Sequence, residues 1–418
     1  MFPTTRRQRR EAIQEVLMSE NKASAAPAEK KPRFRVIDED TAEADAKVKP
    51  KGKIADFRTM LIEKMRPKIE KAGGFIDTAD KMELLSEPKT YVTTGIYALD
   101  NILSGGRGFP CGRFIEVFAP EGVGKSAMCE FMMGRFLKMG GTVHDIDTER
   151  TRDYDHLACY GVAKKDVIPP DLPDLEAVWD YLYDTTKLLK EQNAARAKAG
   201  MPPEPPNLIV LDSLAATPSR DELEEKEHDA KHMALQARSN AKGCRKTIRA
   251  FSAADAVFLC VNQIRDNPGA VGFQPKTQTP GGRAIKFAYS IRMKLALIET
   301  LKNKDDQPIG HVIEVTTVKN KHAPQKQTCE IVLSYLRGID VPWSNFRWFQ
   351  EHGLIQAKGR KGFQFEGSDE VFKRSQFGDF CRKNRKLVDK AAKACAGKDR
   401  TSLDDGNPDD AASDDDDG

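Results

Sequence analysis

From about residue 90 onward, short apolar runs alternate with turn residues and helical stretches, the pattern of a parallel sheet wrapped by helices. Four of these runs predict strands: Phe114–Phe118, Thr142–Ile146, Leu208–Leu211 and Val257–Val261. Between the second and third lies a helical segment. It is followed by Ala194–Pro206, where Gly200 and four prolines (Pro202, Pro203, Pro205, Pro206) predict an exposed insertion. Upstream, Ile54, Phe57, Leu61, Met65 and Ile69 recur at helical spacing and predict a helix with one apolar stripe, kinked or shortened at Pro67. Such a stripe packs either on the chain's own core or on a neighbouring subunit. After about residue 335, Trp343, Trp348, Phe363 and Phe365 mark a smaller α+β region.

Composition changes the picture at the two ends. Residues 1–53 mix Arg, Lys, Glu, Ala and Pro without periodicity and predict a flexible arm. Residues 399–418 predict a disordered acidic tail, with eight aspartates and no basic residue after Arg400. Because the whole chain still carries a net charge of +4, the body without that tail is clearly basic. No apolar run approaches the roughly 20 residues of a spanning helix. Arg6, Arg7, Arg9 and Arg10 lead into a polar stretch and not into a signal peptide's apolar segment, so a cytoplasmic protein without membrane partners is expected. The eight cysteines are scattered, with no CxxC pair, and read as reduced packing residues, not a disulfide framework or a zinc site.

The chemistry begins at Ala119-Pro120-Glu121-Gly122-Val123-Gly124-Lys125-Ser126, set between the apolar run FIEVF and a helical run that opens with Ala127. A glycine loop between strand and helix is a phosphate cradle. Its N–H groups and the helix N-terminus face the phosphates of ATP, Lys125 reaches the β/γ oxygens, and Ser126 ligates Mg²⁺. Ala119 stands where the usual pattern has glycine, and a methyl group is tolerated there if φ stays negative. LIVLD then places Asp212 at the carboxyl end of a strand, where open α/β sheets bind ligands and where it would partner Mg²⁺ through water. VHDIDTE brings Asp147 and Glu149 to the same edge, one of them placed to orient an attacking water. The fourth strand ends in Asn262 and Gln263, amides suited to sensing a γ-phosphate.

From Thr93 to about Gly367 the order and spacing of TTGIYALDNILSGG, GRFIEVFAPEGVGKS, DIDTE, LIVLDSLAA, VNQIR, TPGGRAIKF and VKNK resemble bacterial and phage RecA recombinases. That resemblance implies an α/β fold: a RecA-like P-loop ATPase core (90–334), an N-terminal oligomerisation helix and linker (54–89) and a small C-terminal α+β domain (335–398). It implies Glu149 as the catalytic carboxylate, Asp212 as the second acidic motif, Gln263 as the γ-phosphate sensor and Glu121 as the acidic residue of the loop. Asp153 resembles the adenine-binding aspartate, while the family's adenine-stacking tyrosine falls near His156. Lys319 and Lys321 resemble lysines that reach a neighbour's ATP in trans, with Phe287 the aromatic of that interface. Two stretches resemble the DNA-binding loops. One is Asp221–Gln236, containing Met233 and followed by a helix with Arg238 and Arg245. The other is Arg265–Pro280, containing Phe273 and followed by Gly281, Gly282 and Arg283, with Pro280 and Arg283 departing from the family pattern. The implied activity is a DNA-dependent ATPase that forms helical homo-oligomers on single-stranded DNA and pairs it with double-stranded DNA. A hexameric helicase motor shares the core. A mediator with a degenerate ATP site is the other alternative, but Lys125, Ser126, Glu149 and Asp212 are all present.

Overall fold

The computed structural model describes residues 56–72, 74–79, 87–224, 232–266 and 277–404. The arm at 1–53, Phe273 and residues 405–418 of the acidic tail lie outside these described residues. The stretch up to Thr78 is a unit of its own, containing helix α1 (Phe57–Lys71). The helix runs through Pro67 instead of ending there, and none of its residues is buried; Phe57 is 67% and Leu61 42% exposed. Arg66 pairs with Asp77 at 3.0 Å, folding the following segment back on the helix.

The second unit is a helix-wrapped sheet. Its elements are β1 (Tyr91–Val92), α2 (Tyr97–Ser104), β2 (Phe109–Pro110), β3 (Arg113–Ala119), α3 (Lys125–Lys138), β4 (Val143–Asp147), β5 (Val167–Ile168) and α4 (Leu175–Lys198). Next come β6 (Asn207–Asp212), α5 (Arg220–Glu224), α6 (His232–Ser252), β7 (Ala256–Gln263), β8 (Arg265–Asp266), β9 (Thr277–Gln278) and α7 (Gly282–Ala288). The hairpin β10 (Ile291–Lys302) and β11 (Pro308–Asn320) is followed by β12 (Thr328–Ser334) and β13 (Gly338–Ile339). Among the described residues the main sheet has the order β13-β12-β11-β10-β3-β7-β6-β4-β5, parallel from β10 to β5 and antiparallel from β10 to β13. Each of the four expected strands overlaps an observed one, and the α/β class is as the sequence predicts.

Strands covered on both faces bury successive residues alternately into two layers. Ile115, Val117, Leu208, Val210, Val257 and Leu259 pack with Met128, Met132 and Phe136 of α3. Phe114, Ile209, Leu211, Phe258 and Cys260 pack with Trp179 and Leu182 of α4 and Phe251 of α6. Gly243 interrupts α6 for a packing reason: a Cβ there would lie 2.1 Å from Cγ of Trp179. The expected insertion is shorter than its sequence suggests, because Ala194–Lys198 continue α4. Its remainder is tied down by Arg196 Nε to the Pro202 carbonyl and Glu204 N to Asn193 Oδ1, both at 2.7 Å.

The C-terminal region holds α8 (Val341–Glu351), the antiparallel strands β14 (Ile355–Ala357), β15 (Phe363–Phe365) and β16 (Val371–Phe372), then α9 (Phe377–Lys383) and α10 (Arg385–Asp404). Its aromatic core, with Phe346, Phe349, Phe365, Phe377 and Phe380, is continuous with the α3 layer of the main sheet. Tyr97 joins the two regions, stacking on Trp348 and donating to Asp389 Oδ1 at 2.7 Å. The region is thus a lobe sharing the main core, and α10 carries on to Asp404, beyond residue 398 where the sequence places the tail.

Candidate nucleotide site and its surroundings

Ala119 closes β3 opposite Gln263 of β7, so the glycine loop and the expected amide sensor leave the sheet side by side. Gly122 and Gly124 hold φ values of 72° and 102°, a region favouring glycine. At Gly124 a Cβ would also press Ile313 and Leu333 at 3.0 and 3.1 Å. Buried Val123 anchors the loop while Pro120, Glu121 and Gly122 stay exposed. Lys125 opens α3, and its Nζ donates to the carbonyls of Ala119 and Pro120 at 3.2 and 2.8 Å, spanning the loop. Burial lowers its pKa, partly offset by Asp212, Glu121 and Glu149. Ser126 Oγ donates to Asp212 Oδ2 at 2.9 Å. A hydroxyl and a carboxylate held together are hard oxygen donors that fit Mg²⁺. Ala127 follows on α3, its carbonyl accepting from Tyr160 at 3.4 Å.

Glu149 lies just past β4. Its Oε1 accepts from Ser213 Oγ at 2.8 Å and from Gln263 Nε2 at 3.5 Å, which brings the expected catalytic carboxylate and sensor together. Thr148 latches this turn to β6 by donating its N–H to the Asp212 carbonyl at 2.9 Å. Asp147 accepts from the Arg152 N–H at 2.7 Å and so braces the turn. Asp153 is exposed and accepts from the N–H groups of Asp155 and His156 at 2.9 and 3.3 Å, shaping the turn that carries His156. The His156 ring contacts Glu130 at 2.8 Å.

Sequence reasoning missed Arg152. Its guanidinium is 3% exposed and lies 3.1 Å from Asp145, 3.1 Å from Asp212 and 3.5 Å from Glu130. Burial opposes its charge, but Asp145 and Asp212 more than restore it, so its pKa stands above the ordinary arginine value. Burial raises the Asp212 pKa, and Arg152 and Ser126 work against that rise. The signal was present: Asp145 interrupts a buried strand and Glu130 an apolar helix face, and a buried carboxylate demands a countercharge.

Lys319 and Lys321 sit elsewhere. Lys319 pairs with Arg292 on β10, and Arg292 with Glu116 on β3. That register is three residues short of Ala119, or about 10 Å along the strand at 3.3 Å per residue. Lys319 Nζ donates to the carbonyls of Lys286 and Phe287 at 2.7 and 3.0 Å. Burial, with Lys321 and Arg292 nearby, brings its pKa down to about 8. Phe287 is 75% exposed beside it.

Arg238, Arg245 and Arg283 are all exposed. Gly281 and Gly282 have φ of 97° and 82°, and a Cβ on Gly282 would lie 2.5 Å from that of Ala237, so α7 starts hard against α6. The first expected DNA loop is shorter than its sequence suggests. Helix α6 already begins at His232, placing Met233 in its first turn, and Gln236 is buried, donating to the carbonyls of Leu214 and Thr217 at 2.9 and 3.1 Å. The second loop is framed by the antiparallel pair β8–β9.

Fold and site have the arrangement of the phosphate-loop class, a glycine loop between strand and helix on a mostly parallel sheet with acidic residues at the carboxyl edge. The RecA N-terminal domain family matches residues 63–182 and 190–340. Protein RecA of Latilactobacillus sakei is 32% identical over 304 residues, covering 73% of this chain and 80% of that protein. Protein RecA of Chlamydia caviae is 31% identical over 323 residues, covering 77% and 86%. Protein RecA of Leifsonia xyli is 33% identical over 280 residues, covering 67% and 73%. The chain belongs to the RecA family. Among the described residues no helix is long and apolar enough to cross a membrane.

Proposed function

We infer that this chain is an ATP-dependent recombinase that assembles on single-stranded DNA and catalyses homologous pairing and strand exchange. The observation that carries the reading is the convergence of Lys125, Ser126, Glu149, Asp212 and Gln263 on one sheet edge, while Lys319 and Lys321 lie back along the sheet from their own phosphate loop. ATP sits in the loop, with Asp153 at its base, and Lys125 neutralises β/γ-phosphate charge. Ser126 and Asp212 would hold Mg²⁺, which supplies charge stabilisation at the transferred phosphoryl group. Glu149 takes the proton of the attacking water, and Gln263, bonded to it, registers the γ-phosphate.

The lysines of β11 complete a neighbour's site and Phe287 packs at that boundary, so subunits stack head to tail into an open helix. The exposed stripe of α1 serves the same assembly. Single-stranded DNA lies against Arg238, Arg245, Gly281, Gly282 and Arg283, with Met233 and Phe273 between bases; such contacts are to backbone and stacked faces, leaving sequence readout to base pairing. The test is ATP turnover with and without single-stranded DNA, with electron microscopy of the same samples. DNA-stimulated turnover on helical filaments is expected; closed rings, or no turnover, would overturn the reading.

A further inference from the structure

We propose that Arg152 is a positioning residue of the nucleotide site, holding Asp212 and the Glu149 turn in the geometry that metal-bound nucleotide requires. The inference rests on the nucleotide-site reading above. Arg152 Nε and Nη2 form a fork on Asp145, at 3.1 Å to Oδ2 and 3.2 Å to Oδ1. A structural ion pair would be complete with that fork. Yet Nη2 also donates to Asp212 Oδ2 at 3.1 Å, the same oxygen that accepts from Ser126. That oxygen is therefore fixed from two sides, by the phosphate-loop helix and by the segment after β4.

The main chain of Arg152 adds a second tie. Arg152 lies three residues past Glu149 and its N–H donates to Asp147, two residues before it at the end of β4, so the bond closes the turn that presents Glu149. Glu130 extends the network, receiving Arg152 Nη1 at 3.5 Å on one oxygen and His156 at 2.8 Å on the other. One buried cation thus binds β4, β6 and α3 together beneath the phosphate loop. Arginine is required because its planar fork serves several carboxylates at once, whereas a lysine ammonium is a point charge on a shorter reach.

The experiment compares the parent chain, Arg152→Lys, and the triple variant Glu130→Leu/Asp145→Leu/Arg152→Leu. A fluorescent ATP analogue reports binding as Mg²⁺ is titrated, alongside Tm and turnover. Arg152→Lys should raise the Mg²⁺ needed for half-maximal binding by about tenfold or more, as loss of an outer-sphere partner does, with metal-free nucleotide binding changed by less than about twofold. The triple variant removes Arg152 with two of its three carboxylate partners and leaves Asp212 its bond from Ser126, so its Tm should fall less than loss of Arg152 alone would make it fall. Its Mg²⁺ requirement should remain raised, separating positioning from stability. A parental Mg²⁺ requirement in Arg152→Lys, or in a folded triple variant, would overturn the inference; if the triple variant does not fold, Arg152→Lys alone decides. A parent chain without Mg²⁺-dependent nucleotide binding would instead overturn the nucleotide-site reading itself.

Discussion

Asn262, one position before the end of β7, donates from Nδ2 to the main-chain carbonyl of Pro280 at 3.2 Å. The same buried amide donates to Glu116 Oε1 of β3 at 2.9 Å. Arg292 binds the other oxygen of Glu116 and donates to Thr279 Oγ1 at 3.0 Å. The strand that ends in Gln263, the strand that ends in the phosphate loop and the end of the second proposed DNA-binding stretch therefore share one polar network. If Gln263 senses the γ-phosphate as proposed, such a network in a close-packed interior would pass a shift of β7 on to Pro280.

Asn262→Ala should weaken that coupling. It leaves a carboxylate oxygen and a carbonyl without a buried donor, costing about 1–3 kcal/mol of stability. The gain in single-stranded DNA affinity on replacing ADP by a non-hydrolysable ATP analogue should shrink, measured by fluorescence anisotropy. A gain equal to the parent's would show that nucleotide state reaches the DNA loops by another route.

Glu149→Gln preserves the acceptor for Ser213 and the shape of the side chain but loses the base. Turnover should fall by about 10²- to 10⁴-fold while nucleotide binding and filament formation persist. Loss of nucleotide binding in this variant would make Glu149 a structural residue.

On the proposed trans role, Lys319 should make assembly pH-dependent. Its pKa of about 8 lies below the ordinary lysine value, so its charge disappears as pH rises through about 8, and with it the attraction for a neighbour's phosphates. ATP-dependent assembly should weaken between pH 7 and about 9, seen as a rising critical concentration by light scattering, and Lys319→Arg should flatten the profile because arginine stays charged. Stability of the isolated subunit moves the opposite way. The unfolded chain binds this proton more tightly than the folded one, so stability rises with pH through the window above about 8. An unchanged critical concentration across that range would count against the trans role.

The trans role also predicts complementation. Lys125→Ala and Lys319→Ala/Lys321→Ala should each be inactive alone, the first by about 10²-fold or more for loss of a phosphate-facing donor. Mixed filaments contain interfaces with one intact loop and one intact lysine pair, so turnover should partly return. Coassembly without any return of turnover would place the lysines in their own subunit's site.

The sequence by itself determined the parts of this protein whose signals are local. The phosphate loop is legible because a strand, a glycine turn and a helix start must follow one another within a few residues, and β3, β4, β6 and β7 are legible because strands buried on both faces are written as apolar runs. Acidic residues at strand ends, Glu149 and Asp212, follow from the same local text. Only the tertiary structure decided which side chains meet. The contacts Ser126–Asp212, Asn262–Glu116 and Arg152–Asp212 join residues 60 to 146 positions apart, and no periodicity encodes them. The start of α6 at His232 was hidden because the charged, polar text before Gln236 reads as loop until Gln236 is seen to bury its amide on Leu214 and Thr217. The shared core of the C-terminal lobe was hidden for a similar reason: its aromatic residues declare that they are buried but not against what. Burial is a demand each residue makes locally, whereas the partner that meets it is chosen by how the whole chain packs.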